Sequence, residues 1–254
     1  EITANILRFR DEDGKPLLDK ILDVAGQKGT GKWSAIAAMD ENDPLTLITE
    51  AVYARLLSAL YPERIKAASL YSGKLKVESG KLSDNAQLSI EDVRQALYAA
   101  KLISYAQGFS LLRHASEHYG WDLDYGTIAR IWRKGCIIRS VFLQKITEAY
   151  RKDPDLENLL FDDFFHTKIQ EALPAWRRVV AEGALSGVAL PAMSSALNYF
   201  DGLRTLYSAA NMIQAQRDYF GAHTYERTDR ERGHFFHTNW TGEGGNTVSG
   251  TYSV

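Results

Sequence analysis

The stretch between Ser89 and Gly120 constrains this chain most. Ser89-Ile90-Glu91-Asp92 reads as a capping box, with Asp where Glu is preferred, and nothing interrupts the helical pattern before Gly120. Val93, Leu97, Ala100 and Ile103 keep one apolar face along it. Helix signals recur on both sides. Residues 17–25 are apolar at helical spacing, with Gly26 where a C-terminal cap belongs. Asp43-Pro44 reads as an N-cap followed by a first-turn proline, opening a helix to Leu60 with Leu47, Ala51, Ala54 and Ser58 on one side. Pro62 opens another, and 74–87 reads as a polar loop. Further helices are predicted over 125–133, 138–150, 164–182 with a kink at Pro174, 191 to about 208, and 211–220. Residues 193–220 are apolar on several faces, the pattern of buried helices.

No run alternates apolar and polar residues with the β-branched content a sheet requires. The prediction is therefore an all-α chain. No βαβ pattern occurs, so no Rossmann half is expected. Residues 238–254 are rich in Gly, Thr and Ser and cannot build a core. They read as an extended C-terminal tail, and Trp240 and Tyr252 give it side chains with which to dock.

Charge narrows the function classes. The 254 residues carry 30 basic and 32 acidic side chains, a formal charge of −2. That balance argues against nucleic-acid or anionic-membrane binding, which needs a basic excess. No apolar run is long enough to span a bilayer, and the N-terminus has no basic-then-apolar leader. A cytoplasmic location is expected. Cys136 stands alone, so no intrachain disulfide is possible. Asn239-Trp240-Thr241 matches a glycosylation acceptor, a match that carries little without a leader.

Three motifs invite a chemical reading. Gly26-Gln-Lys-Gly-Thr-Gly31-Lys32 nearly spells a P-loop, but Trp33 stands where a magnesium-binding Ser or Thr belongs, and the segment before it reads as helix rather than strand. Lys28, Lys32, Thr30 and the glycines could still cradle an anion, aided by a helix starting near Lys32. The loop fits a solvated glycine turn equally well. His114-Ala-Ser-Glu117-His118 matches an inverted zinc-protease motif, yet no third ligand can be placed, and no metal is expected. No G-x-S-x-G elbow occurs. Near the C-terminus, Arg217 offers a donor fork suited to phosphate, and His223 follows a helix-ending Gly221. The plainer reading pairs Arg217 with Asp218 or Glu226 on the surface.

Taken together, LLDKILDVAGQKGTGKW, LITEAVYARLLSAL, KLISYAQGFSLLR, WDLDYGTIARIWRKGCIIRSVFLQKI, NMIQAQRDYFGAHTYER and FFHTNWTGEGG resemble the C-terminal helical part of the decarboxylating 6-phosphogluconate dehydrogenases. The segments run nearly the whole chain in the family's order. The resemblance implies a large multi-helix domain over 1–237 that binds substrate and dimerises, with a tail, 238–254, crossing to the partner subunit. It places Lys28 and Thr30 of the K-G-T loop, and Arg55 of the following helix, on the substrate's phosphate. It places Arg217 on phosphate and His223 on a sugar hydroxyl in the partner's active site, so an obligate homodimer follows. It assigns Ser249, Gly250, Thr251 and Tyr252 to covering the partner's NADP. Lys28, Arg55 and Arg217 would then surround one phosphate dianion with three cations, as a phosphosugar site requires.

The resemblance also implies what the sequence does not contain. The family's N-terminal Rossmann domain binds NADP, and a linking helix carries a lysine base and a glutamate acid. Neither catalytic position occurs in this chain, nor does G-x-G-x-x-G after a strand. The expectation is the C-terminal portion of an enzyme that converts 6-phosphogluconate to ribulose 5-phosphate and CO2 in the pentose phosphate pathway, inactive alone and with no catalytic residue of its own. The alternative is a non-catalytic helical dimerisation module or fragment. Nothing in the chain discriminates NADP from NAD.

Overall fold

The computed structural model describes residues 2–71, 88–133 and 142–242. Among them are ten α-helices: α1 Ile2–Arg8, α2 Thr30–Asp40, α3 Thr46–Ala59, α4 Tyr61–Tyr71, α5 Ile90–Tyr119, α6 Tyr125–Ile131, α7 Phe142–Lys152, α8 Asp163–Leu185, α9 Pro191–Leu203 and α10 Ala210–Gly221. Two-residue strands β1 Tyr225–Glu226 and β2 Phe235–Phe236 pair antiparallel. The predicted all-α class is therefore correct, with this small hairpin in addition. The chain divides into two units, Glu1–Phe200 and Asp201–Val254. Among the described residues, no helix is long and apolar enough to cross a membrane.

In the first unit α5 is the spine. Its capping box is formed as predicted: Ser89 Oγ accepts the Asp92 N–H at 3.0 Å, and Asp92 Oδ2 accepts the Ser89 N–H at 2.9 Å. Arg178 of α8 also donates to the Asp92 carboxylate. Gly120 ends the helix at φ 65, a left-handed conformation that glycine adopts without strain. The buried side of α5 carries Ala96, Ala99, Leu102, Ile103, Ala106 and Phe109. Its most extensive packing is against α8, which contributes Phe165, Ile169, Ala172, Trp176 and Val179 to the same core. The small side chains of Ala96, Ala99, Ala100 and Ala106 on α5 favour a close approach of helices. The Trp176 indole N–H finds the Met193 carbonyl at 3.2 Å, which makes burial of that ring tolerable. α8 continues through Pro174 to Leu185.

Four expectations need correction. First, Val93 and Leu97, read as core on α5, are exposed, and the buried side is turned toward the alanines. Second, 17–25 is not a helix. Only a 3₁₀ turn forms, Leu17–Lys20, and the chain from Ile21 is irregular. Its backbone groups are claimed elsewhere: Ala25 N–H donates to Ser58 Oγ at 2.9 Å and the Asp23 carbonyl accepts from Arg64. Third, Asp43 does not cap α3. Leu45 holds the N-cap position without a side-chain bond, while the buried Asp43 carboxylate accepts from Ser110 and His114 of α5. Fourth, burial over 193–220 stops early. Ala196 and Leu197 are buried, but Leu206, Tyr207 and Phe220 are 85%, 79% and 84% exposed. Within α10 only Asp218 is buried, so its apolar side chains do not form part of the core.

Candidate phosphate-binding site

α2 begins two residues earlier than the sequence predicts, at Thr30. Gly29 stands at its N-cap with φ 104, a conformation closed to most side chains. No side chain caps this end. The first N–H groups of a helix have no intrahelical acceptor and, with the helix dipole, favour an anion there. Gly31 in the first turn lies against α3: an added Cβ would stand 2.7 Å from Val52 Cγ2.

The loop before α2 runs along α3. Gly31 meets Val52 at one end, and Ala25 donates to Ser58 at the other. Arg55 lies on α3 between those two contacts, three residues from each. The fold thus brings Lys28, Thr30 and Arg55, separated by up to 27 residues of sequence, to one stretch of surface. All three are exposed, and among the described residues neither Lys28 nor Arg55 is paired with a carboxylate. Exposed cations beside an uncapped helix start have the chemistry to hold an anion.

Sequence reading missed the residue that holds this loop. Arg64 of α4 donates through Nη1 to the carbonyls of Ser58 (3.1 Å) and Asp23 (3.2 Å), and through Nη2 to the Asp23 carboxylate. The hydrogen bond from Arg64 holds the Asp23 carboxyl below the usual carboxylate range. No local pattern announces a partner 41 residues away.

The second unit places Arg217 and His223 together. Gln214 links them: its Oε1 accepts from Arg217 Nη1 at 3.0 Å, and its amide donates to the His223 and Thr224 carbonyls. The surface pairing of Arg217 with Asp218 or Glu226 does not form. Asp218 takes other donors, and Glu226 pairs with Arg232 at 3.0 Å. The His223 ring lies on Gly221, where an added Cβ would stand 3.0 Å from Nε2. Trp240 docks at the start of the tail, donating from Nε1 to Asp218 at 2.8 Å. Ser249, Gly250, Thr251 and Tyr252 lie outside the described residues, as does Cys136.

The zinc-like motif is otherwise engaged. His114 Nδ1 bonds Asp43 and His118 Nδ1 bonds Glu41, both at 2.8 Å, while Glu117 pairs with Arg113 at 2.7 Å. Among the described residues, no three His, Cys, Asp or Glu side chains gather as a metal site.

Comparison with known proteins decides the family. The model for the 6-phosphogluconate dehydrogenase C-terminal domain matches residues 1–240. The chain belongs to that family. The decarboxylating 6-phosphogluconate dehydrogenase of Rattus norvegicus is 54% identical over all of this chain and 52% of its own length. That of Homo sapiens is 53% identical over the same shares. A solved structure of the Plasmodium falciparum 6-phosphogluconate dehydrogenase, described in its apo form and in complexes with its cofactor NADP+ and its substrate 6-phosphogluconate, superposes with a TM-score of 0.84 at 42% identity. It covers 94% of this chain and 51% of its own. The chain spans about half the length of the curated relatives it matches. Family membership and the geometry agree on a helical domain whose K-G-T loop opens a helix against α3.

Proposed function

We propose that this chain is the substrate-binding and dimerising portion of an NADP-dependent oxidative decarboxylase that converts 6-phosphogluconate to ribulose 5-phosphate and CO2. The carrying observation is the surface formed by Lys28, the α2 N-terminus and Arg55, in which neither cation is paired with a carboxylate among the described residues. The Plasmodium relative, bound to 6-phosphogluconate and NADP+ in its own complexes, supports the ligand assignment.

In this reading Lys28 and Arg55 neutralise the phosphate, and Thr30 and the first α2 amides donate to its oxygens. Charge-assisted bonds of this kind are about twice as strong as neutral ones. Holding the far end of the sugar acid fixes where its reacting carbons lie, the positional share of catalysis. Arg217 and His223 serve the phosphate and a hydroxyl of the partner's substrate, and 238–254 reaches across to the partner's NADP. The coenzyme accepts hydride when bound. The described residues hold no strand, glycine turn and helix to cradle a dinucleotide, so their own work concerns the phosphosugar.

A homodimer accounts for the apolar surface of the second unit. Leu206, Tyr207, Met212, Ile213 and Phe220 are each at least 60% exposed, more than a lone surface carries without a partner. We propose a second copy as that partner. Calorimetry of the complete protein with 6-phosphogluconate and with gluconate tests the substrate reading. A preference of about 100-fold or more for the phosphorylated acid is expected from losing two or three charge-assisted bonds. Equal affinities would overturn it.

A further inference from the structure

Asp218 is fully buried, one residue beyond Arg217. Each carboxylate oxygen has two donors. Thr224 N–H and His237 Nδ1 reach Oδ1, both at 3.0 Å. Thr238 N–H at 3.0 Å and the Trp240 indole N–H at 2.8 Å reach Oδ2. A carboxylate offers about four lone-pair positions, and all are used here. Only such saturation makes the burial of this charge tolerable. One side chain therefore gathers the end of α10, the turn at 222–224, and residues 237–240 at the root of the tail.

The turn carries His223. Ala222 and Thr224, on either side of it, have φ of 52 and 48, left-handed values that residues with a Cβ rarely adopt. Both of their N–H groups bind Asp218: Ala222 to its carbonyl at 2.8 Å, Thr224 to its carboxylate. The His223 carbonyl in turn meets Gln214, which holds Arg217. Burial alone would raise the Asp218 carboxyl, but the bonds from His237, Thr238 and Trp240 outweigh it and hold it below its ordinary value.

We infer that Asp218 is a positioning residue that couples attachment of the tail at 237–240 to placement of His223 beside Arg217. The inference rests on the phosphosugar reading above. An ordered tail root and a correctly aimed histidine are then one event, because the same carboxylate enforces both.

The test is a double-variant cycle in the complete protein. Asp218→Asn keeps the shape but turns an amide N–H₂ toward two of the four donors. It is expected to raise KM for 6-phosphogluconate tenfold or more while kcat changes less than threefold. His223→Ala should raise KM comparably, and the double variant no further than His223→Ala alone. Additive effects would mean Asp218 acts on general stability only, and would overturn the coupling. A second readout needs no ligand. Amide exchange followed by mass spectrometry should accelerate at both 222–224 and 237–240 in Asp218→Asn, and mainly at 237–240 in Trp240→Phe. Unchanged exchange at 222–224 in Asp218→Asn would overturn the inference. A wild-type protein indifferent to 6-phosphogluconate would sink the substrate reading instead, and the exchange comparison would still decide the coupling.

Discussion

Gly31 and Val52 touch so closely that a single methyl group on Gly31 would lie 2.7 Å from Val52 Cγ2. The start of α2, which carries Thr30, and the middle of α3, which carries Arg55, are thereby pressed together. Gly31→Ala is expected to push the two helices apart and raise KM for 6-phosphogluconate about tenfold, the scale of a small overpacking strain directed at one site. Val52→Ala removes the opposing methyl groups, so the Gly31→Ala/Val52→Ala double variant should recover most of the affinity. Steady-state kinetics on the three proteins checks this. A double variant no better than Gly31→Ala would exclude the steric explanation.

Arg64 should matter for substrate affinity without touching substrate. It ties Asp23 to the carbonyl of Ser58, whose hydroxyl holds Ala25. Arg64→Ala frees this end of the loop and is expected to weaken 6-phosphogluconate binding severalfold in calorimetry. Arg64→Lys should restore little, because one ammonium cannot reproduce a planar fork across three acceptors. Full recovery by lysine would show that charge alone suffices.

The cap of α5 predicts an acid limit. The Ser89 backbone N–H first, and Arg178 second, hold the Asp92 carboxyl down at about 2. A depressed carboxyl stabilises the fold above its unfolded value, and that stabilisation is lost as pH falls through the folded one. The stability gap between wild type and Asp92→Asn should be constant near neutrality and close between about pH 4 and pH 2. Urea titrations across that range read it directly. Ser89→Ala should cost about 1 kcal/mol at neutral pH.

Removing the fork at Arg217 tests the second unit. Arg217→Ala is expected to reduce affinity for 6-phosphogluconate by about 10- to 100-fold, as loss of a charged hydrogen-bonding partner does. Arg217→Lys should recover only part of it. Calorimetry showing unchanged affinity for Arg217→Ala would remove this residue from the phosphate site.

Deleting the residues after Trp240 should weaken both the dimer and cofactor retention in the complete protein, if the tail crosses between subunits. Sedimentation velocity and a tryptophan-to-NADPH energy-transfer titration would measure the two effects. An unchanged dimer would count against a role of the tail in assembly.

Legibility in the sequence followed the range of the interaction. Ser89 and Asp92 form the capping box as read, because both partners lie within one helical turn. Gly120 ends α5 because its left-handed φ is a local need. Residues 17–25 misled for the opposite reason: their apolar spacing is helical, but Ser58 and Arg64, 33 and 41 residues away, take their backbone groups. Asp43 read as a cap because aspartate before proline usually is one, yet α5 claims its carboxylate. On α5 the period was right and the inward side partly wrong, since Val93 and Leu97 are exposed while Ala96 and Ala99 are buried. Periodicity gives the spacing of a face and not which neighbour will cover it.

The sequence by itself determined the family, the helical class and the ordered motifs that carry Lys28, Thr30, Arg55, Arg217 and His223. These are short-range signals, written in neighbouring residues and in their order along the chain. Only the tertiary structure decided that Gly31 seats on Val52, that Arg64 clamps Asp23, and that Asp218 binds donors from Thr224 to Trp240. Such contacts join residues with no fixed spacing. A buried carboxylate or a missing Cβ acquires its meaning from the groups that folding brings against it.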